Sequence, residues 1–275
     1  MPRFATIAAG HGRGRPTVLL RQAGYGLLSS YQDYRAQHTW WSWLFGWLVR
    51  LVCQVLFFSM VGRLVGSPEL QRSIAVGNAV LLGPLCALGV VSSSVGERRG
   101  GTLPFLLLSI GGPFPALAAR GLYWAVDGAL TSCIALFALP ALVGLSLSPA
   151  AACWCAALIV LTALSGYALA LGLAGVSLRW PESRMYLTAG TTILLMALTG
   201  VNAPSPETGA AGTLAGLLPA THGLGAVRAV IATGNLPAGQ VLGECLVLVG
   251  WGAVGVLALT TSLRHQVRTG SLDLG

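Results

Sequence analysis

Residues 151–178, AACWCAALIVLTALSGYALALGLAGVSL, contain no charged side chain. A helix that crosses a bilayer needs roughly 20 mostly apolar residues, so this stretch alone is long enough. Similar stretches lie at about 40–62, 73–95, 114–143, 185–202 and 239–263, and with 151–177 they make six candidate spans. A soluble domain carries about a quarter charged residues. This chain has 9% charged and 55% hydrophobic residues, too few charges to cover a globule. The expected fold class is all-α, a polytopic membrane protein with one membrane domain over residues 40–263. No internal repeat divides it.

Turn signals separate the candidate spans: Gly66-Ser67-Pro68, Gly111-Gly112-Pro113, Ser148-Pro149 and Trp180-Pro181-Glu182. The arginines then orient them. With the N-terminus inside, Arg3, Arg13, Arg15, Arg21, Arg35, Arg98, Arg99, Arg120, Arg179, Arg184, Arg264 and Arg268 face the cytoplasm, and only Arg63, Arg72 and Arg228 face outward. That bias predicts six spans with both termini cytoplasmic.

Residues 1–39 form a cytoplasmic segment with no secretory signal. Within it, 17–36 reads as an amphipathic helix lying in the inner interface or packed on a partner. Val18, Leu19, Leu20, Leu27, Leu28 and Tyr31 form its apolar side. Trp40, Trp41, Trp43 and Trp47 follow it as a headgroup belt. Residues 203–238 are too polar and broken to span and too apolar for a free loop, which predicts short helices dipping into the outer leaflet. Residues 264–275 form a cytoplasmic tail.

All sixteen basic residues are arginine. A phosphate-cradling P-loop needs a lysine after its glycines, so this chain is not expected to hydrolyse ATP. The six cysteines lie in apolar runs, and Cys153-Trp154-Cys155 has the wrong spacing for zinc. Buried, inert thiols are expected, with no metal, no cofactor and no nucleic-acid partner.

The stretch VGERRGGTLPFLLLSIGGPF, residues 95–114, interrupts this pattern between spans two and three. Leu103 to Ile110 is too short to cross and predicts a surface helix on the cytoplasmic face, led by Glu97, Arg98 and Arg99. It reads equally as a docking element or as an ordinary positive loop.

Glu97-Arg98-x-x-Gly101-Thr102-Leu103 resembles the Glu-Arg-x-x-Gly-Thr-Leu signature of ABC type-2 transporter permeases. GLLPATHGLGAVRAV, residues 216–230, is similar to the Leu-Pro-x-Thr-His segment that precedes their last span, and holds Pro219, Thr221, His222 and Arg228. Arg120 stands where such permeases carry a basic residue, and SLRHQVRTGSLDL resembles their basic tail. Arg99, Pro104 and Ile110 depart from the family pattern. The likeness covers roughly residues 40–275.

The resemblance implies the membrane subunit of an exporter in a bacterial cytoplasmic membrane. It implies a homo- or heterodimer with a second permease chain, bound to two copies of a cytoplasmic ABC ATPase that hold ATP and magnesium. Glu97 would then open the coupling helix, where the dipole favours a carboxylate, and Arg98 and Arg99 would meet the ATPase. The cargo expected is a small amphiphilic drug, antibiotic or lipid-like compound. A stand-alone ion- or proton-coupled secondary transporter is the alternative, with Asp127 as proton carrier. A lipid-acting membrane enzyme has only His222 beside Thr221 in its favour.

Two charges fall inside the candidate spans. Arg50 and Asp127 sit at depths that differ by about 5 Å, and pairing between them is one way to offset the cost of burying charge. Glu244, near the outer end of span six, is expected to reach the interface.

Overall fold

Two serine–proline pairs set where the central helices begin. In the computed structural model, the Ser67 side chain accepts the Leu70 N–H at 3.2 Å and starts α2 (Pro68–Ala87). Ser148 accepts the Ala151 N–H at 3.2 Å and starts α5 (Pro149–Arg179). In each case proline occupies the first turn, where its missing N–H costs nothing. The structure describes residues 39–64, 66–103, 113–202 and 209–269, together with residues 24, 26, 28, 31, 32 and 35.

A π-helical segment (Ser42–Leu48) runs directly into α1 (Val49–Leu64). After α2 come α3 (Gly89–Arg99), α4 (Pro113–Val143) and α5. A single 3-10 turn (Pro181–Ser183) leads to α6 (Arg184–Leu198), followed by α7 (Gly209–Leu217), α8 (Thr221–Thr233) and α9 (Ala238–Thr269). Among the described residues there is no strand.

Helices α2 and α3 form one run, Pro68–Arg99, broken only at Leu88. Pro84 lies inside this run, and proline cannot donate to the carbonyl four residues back. That carbonyl, of Val80, instead accepts the Ser132 hydroxyl of α4 at 3.4 Å. The run is the centre of the bundle: α4, α5 and α1 pack around it. The core falls in two parts, one around Leu82, Leu136 and Ile159 and one around Leu103, Leu178 and Leu259.

Helix α9 packs along α5, and a glycine sets their distance. A Cβ on Gly175 would lie 2.6 Å from the Ala258 carbonyl carbon and 2.8 Å from the Leu259 nitrogen. Backbone cannot yield as a flexible side chain does, so the helices approach closely only because this side chain is absent. Gly175→Val is expected to force α5 and α9 apart and cost about 1–3 kcal/mol as overpacking, read as a lower unfolding midpoint in detergent. An unchanged midpoint would contradict this packing.

Among the described residues, four helices are long and apolar enough to cross a membrane: Pro68–Arg99, Phe114–Leu139, Pro149–Arg179 and Ala238–Gln266. Counting the bent pair α7–α8 as one span gives five. Six spans are expected from the sequence; four or five of sufficient length and apolarity stand among the described residues. Helix α6, in place of the fifth expected span, has 15 residues, which extends only about 22 Å at helical rise. The short helices expected within 203–238 are present as α7 and α8, bent by 82°. The amphipathic helix at 17–36 and the surface helix at 103–110 fall largely outside the described residues; of the latter only Leu103 is described, and it is buried.

Burial of the cysteines holds only in part. Cys86 and Cys155 are buried, whereas Cys53 and Cys153 are exposed on outward faces of apolar helices.

Candidate functional site: the two polar ties of the bundle and an aromatic pocket

Glu97-Arg98-Arg99-Gly100-Gly101-Thr102 forms a helix stop. The Thr102 N–H donates to the Glu97 carbonyl at 3.1 Å and the Gly101 N–H donates to the Arg98 carbonyl at 3.3 Å. Gly101 has φ of +69°. This paired pattern around a left-handed residue is the Schellman C-cap, and it explains why glycine stands at 101. Any side chain there is strained; Gly101→Ala is expected to lower stability by about 1 kcal/mol, measured by thermal unfolding in detergent, and no loss would refute the cap.

Glu97 therefore closes α3 rather than opening the helix that follows. That corrects the dipole argument, because a carboxylate in a last turn is disfavoured. Two contacts offset the penalty. Arg120 of α4 pairs with Glu97 at 2.6 Å, with only 22% and 16% of the two side chains exposed. The Thr102 hydroxyl donates to the Glu97 carboxylate and, at 3.1 Å, to its carbonyl.

Arg98 is also used within the chain. Its Nη1 donates to the Leu178 carbonyl at 2.6 Å, and the Gln266 amide donates to the same oxygen at 2.8 Å. Leu178 is in the last turn of α5, where carbonyls lack helical partners. One carbonyl thus joins the ends of α3, α5 and α9, while Glu97 joins α3 to α4. Arg99 remains at the surface, paired with Glu182 at 3.0 Å, and both side chains are largely exposed. Leu103 packs into the core beneath this tie.

At the opposite end of α9, Glu244 is fully buried, which corrects its expected position at an interface. Its Oε2 accepts the Gly223 N–H at 2.8 Å, and its Oε1 accepts the Ala220 N–H at 3.1 Å and the Ser165 hydroxyl of α5. The carboxylate occupies the N-terminus of α8, where N–H groups are unpaired and the dipole favours an anion. The bend it holds is unusual. Ala220 has φ of +76°, the one positive value among described non-glycine residues. Pro219 before it is buried.

The other residues of this segment complete the bend. Thr221 donates its hydroxyl to the Ala215 carbonyl at 2.6 Å, and His222 Nε2 lies 3.0 Å from the Gly216 carbonyl. Both cover the open end of α7. Arg228 extends from α8 to the Ser73 carbonyl of α2 at 3.0 Å. Pro219, Thr221, His222 and Arg228 thus share one fold element, with backbone carbonyls as the polar partners of the last three.

Asp127 of α4 is buried, and the indole N–H of Trp43 donates to its Oδ1 at 2.9 Å. Sequence reasoning missed Trp43 as a partner, because it placed all four tryptophans in a headgroup belt. The Arg50 side chain lies outside the described residues, and with it the expected pairing to Asp127. Around Asp127 and Trp43 opens a cavity of about 560 Å³. Trp40, Trp41, Tyr31 and Tyr123 form its aromatic walls. Trp43→Phe keeps the ring and removes the donor to Asp127. It is expected to cost about 1.5–3 kcal/mol, the worth of a hydrogen bond to a charged group, read by thermal unfolding in detergent; a neutral result would disprove the contact.

Among the described residues no group of histidine, cysteine or acidic side chains is arranged to hold a metal. Comparison with protein-family models, with curated proteins and with solved structures returned no match.

Proposed function

We propose that the chain is the transmembrane permease subunit of an ATP-binding cassette exporter. In this reading it adopts six spans with both termini cytoplasmic, and pairs with a second permease chain. A separate ATPase subunit, two copies per transporter, binds ATP and magnesium and powers outward movement of a small amphiphilic compound. The observation that carries the proposal is the tie at Glu97–Leu103. It gathers the ends of α3, α4, α5 and α9 at one end of the bundle through the Glu97–Arg120 pair and the Leu178 carbonyl. A push on the segment that follows Leu103 would reach four helices at once.

The charges divide by role. Glu97 and Arg98 hold the lever together from inside, and Arg99, exposed beside Glu182, offers the outer contact to the ATPase. The absence of lysine supports a motor on another chain.

Affinity purification of the tagged chain from its native membrane in mild detergent tests this. An ABC ATPase is expected to co-purify, and the chain alone is expected to show no ATP turnover. Arg99→Glu with Glu182→Arg should weaken the complex while insertion in the membrane is kept. Transport that proceeds with the ATPase gene deleted would overturn the proposal in favour of a secondary transporter.

A further inference from the structure

The cavity beside Asp127 carries a chemistry that the export reading does not use. One acid and one base line it, Asp127 and Arg35, and the remaining surface is aromatic or apolar apart from Thr39. Trp40 and Trp43 stand edge to face, with centroids 6.2 Å apart and planes at 84°, so their rings form a corner rather than a stack. Tyr31 faces the same space, with the Arg35 guanidinium 5.9 Å from its ring centre. Ring faces attract cations, and cages of such faces select ammonium groups. Below the corner, Val126 and Leu130 of α4 are 60% and 51% exposed and give an apolar exit along the helix.

We propose that this pocket binds a zwitterionic phospholipid: the ammonium of an ethanolamine or choline headgroup sits among the aromatic rings beside Asp127, the phosphate meets Arg35, and an acyl chain follows Val126 and Leu130. Three features favour this occupant over a simple organic cation. Arg35 would repel a lone cation, but its planar fork suits phosphate. Exposed Trp40 and Trp41 are residues of the membrane–water interface, where headgroups lie. The apolar exit is of use only to a ligand with a tail. Asp127 keeps its bond to Trp43 in the complex. The proposal rests on the pocket alone, not on what the chain transports.

Native mass spectrometry of the purified full chain tests it, with three phospholipids of identical palmitoyl-oleoyl tails. Phosphatidylethanolamine or phosphatidylcholine is expected to be retained about tenfold more tightly than phosphatidylglycerol, the scale of one charge-assisted contact. Asp127→Asn keeps an acceptor for Trp43, and Arg35→Gln and Trp40→Ala alter exposed positions, so the last two carry the test if the first is unstable. Asp127→Asn and Trp40→Ala should each reduce zwitterionic lipid retention about tenfold and leave phosphatidylglycerol unchanged, whereas Arg35→Gln should weaken all three lipids, because each carries the phosphate. Equal retention of all three lipids, or of the zwitterionic lipids by all three variants, would overturn the proposal. So would displacement of the phospholipid by hexadecyltrimethylammonium at equal concentration, with Arg35→Gln having no effect, which would mark a site for cations alone.

Discussion

Glu244→Leu is expected to produce the largest loss of stability of any single substitution at the polar ties. The side chain is fully buried and takes three donors: the Ala220 and Gly223 N–H groups and the Ser165 hydroxyl. Leucine leaves the two N–H groups buried without that acceptor, while the Ser165 hydroxyl can turn to the Thr162 carbonyl, 3.0 Å away. Each stranded donor costs about 1–3 kcal/mol, and relaxation of the bend recovers part, so a net loss of about 3–5 kcal/mol follows. The Ala220 backbone adds to the effect. Its φ of +76° is a conformation that persists only when its surroundings enforce it, and the Glu244 bond to its N–H does so. Thermal unfolding in detergent should show the loss, with Glu244→Gln intermediate because one acceptor oxygen remains. Ser165→Ala should cost about 1 kcal/mol. If Glu244→Leu unfolds with the parent chain, the carboxylate does not hold the bend.

Reversing the Glu97–Arg120 pair should have the second largest effect, and under the proposed function it should act on transport more than on folding. The ion pair is 2.6 Å long and mostly shielded from solvent. Glu97→Arg or Arg120→Glu alone places two like charges together at the end of the bundle. In the exporter function proposed above, transport should fall to background in either single variant. The double exchange, Glu97→Arg with Arg120→Glu, should recover part of it, with a coupling energy of about 0.5–3 kcal/mol in unfolding experiments. The recovery should be incomplete, because the Thr102 hydroxyl also donates to the Glu97 carboxylate and arginine cannot accept it. Additive losses would mean that α3 and α4 are not joined through this pair.

Much of the architecture was legible in the sequence, because the chemistry that sets it is local. Length and hydropathy of an apolar run fix whether a helix can cross a bilayer, and the runs at 73–95, 114–143, 151–177 and 239–263 each became or joined a long helix. Ser67-Pro68 and Ser148-Pro149 read as breaks between spans because turn signals are local, and the structure makes each of them the N-cap and first turn of a helix. The break within 203–238 was visible for the same reason. The Glu97–Thr102 motif was visible as a constellation, but its geometry was not: the helix that it belongs to precedes it, and Gly100-Gly101 ends that helix.

What the tertiary structure alone decided is which polar group meets which across the bundle. Glu244 sits in an apolar run, and nothing in its neighbours tells an interfacial acid from a buried one. Its partners come from 21, 24 and 79 residues away. Trp43 and Asp127 are 84 residues apart, and Arg98 and Leu178 are 80 apart. A periodic pattern records which face of a helix avoids water. It does not record which helix covers that face, because apolar side chains pack without direction. Hydrogen bonds and ion pairs do have direction, and their geometry exists only after the helices have been brought together.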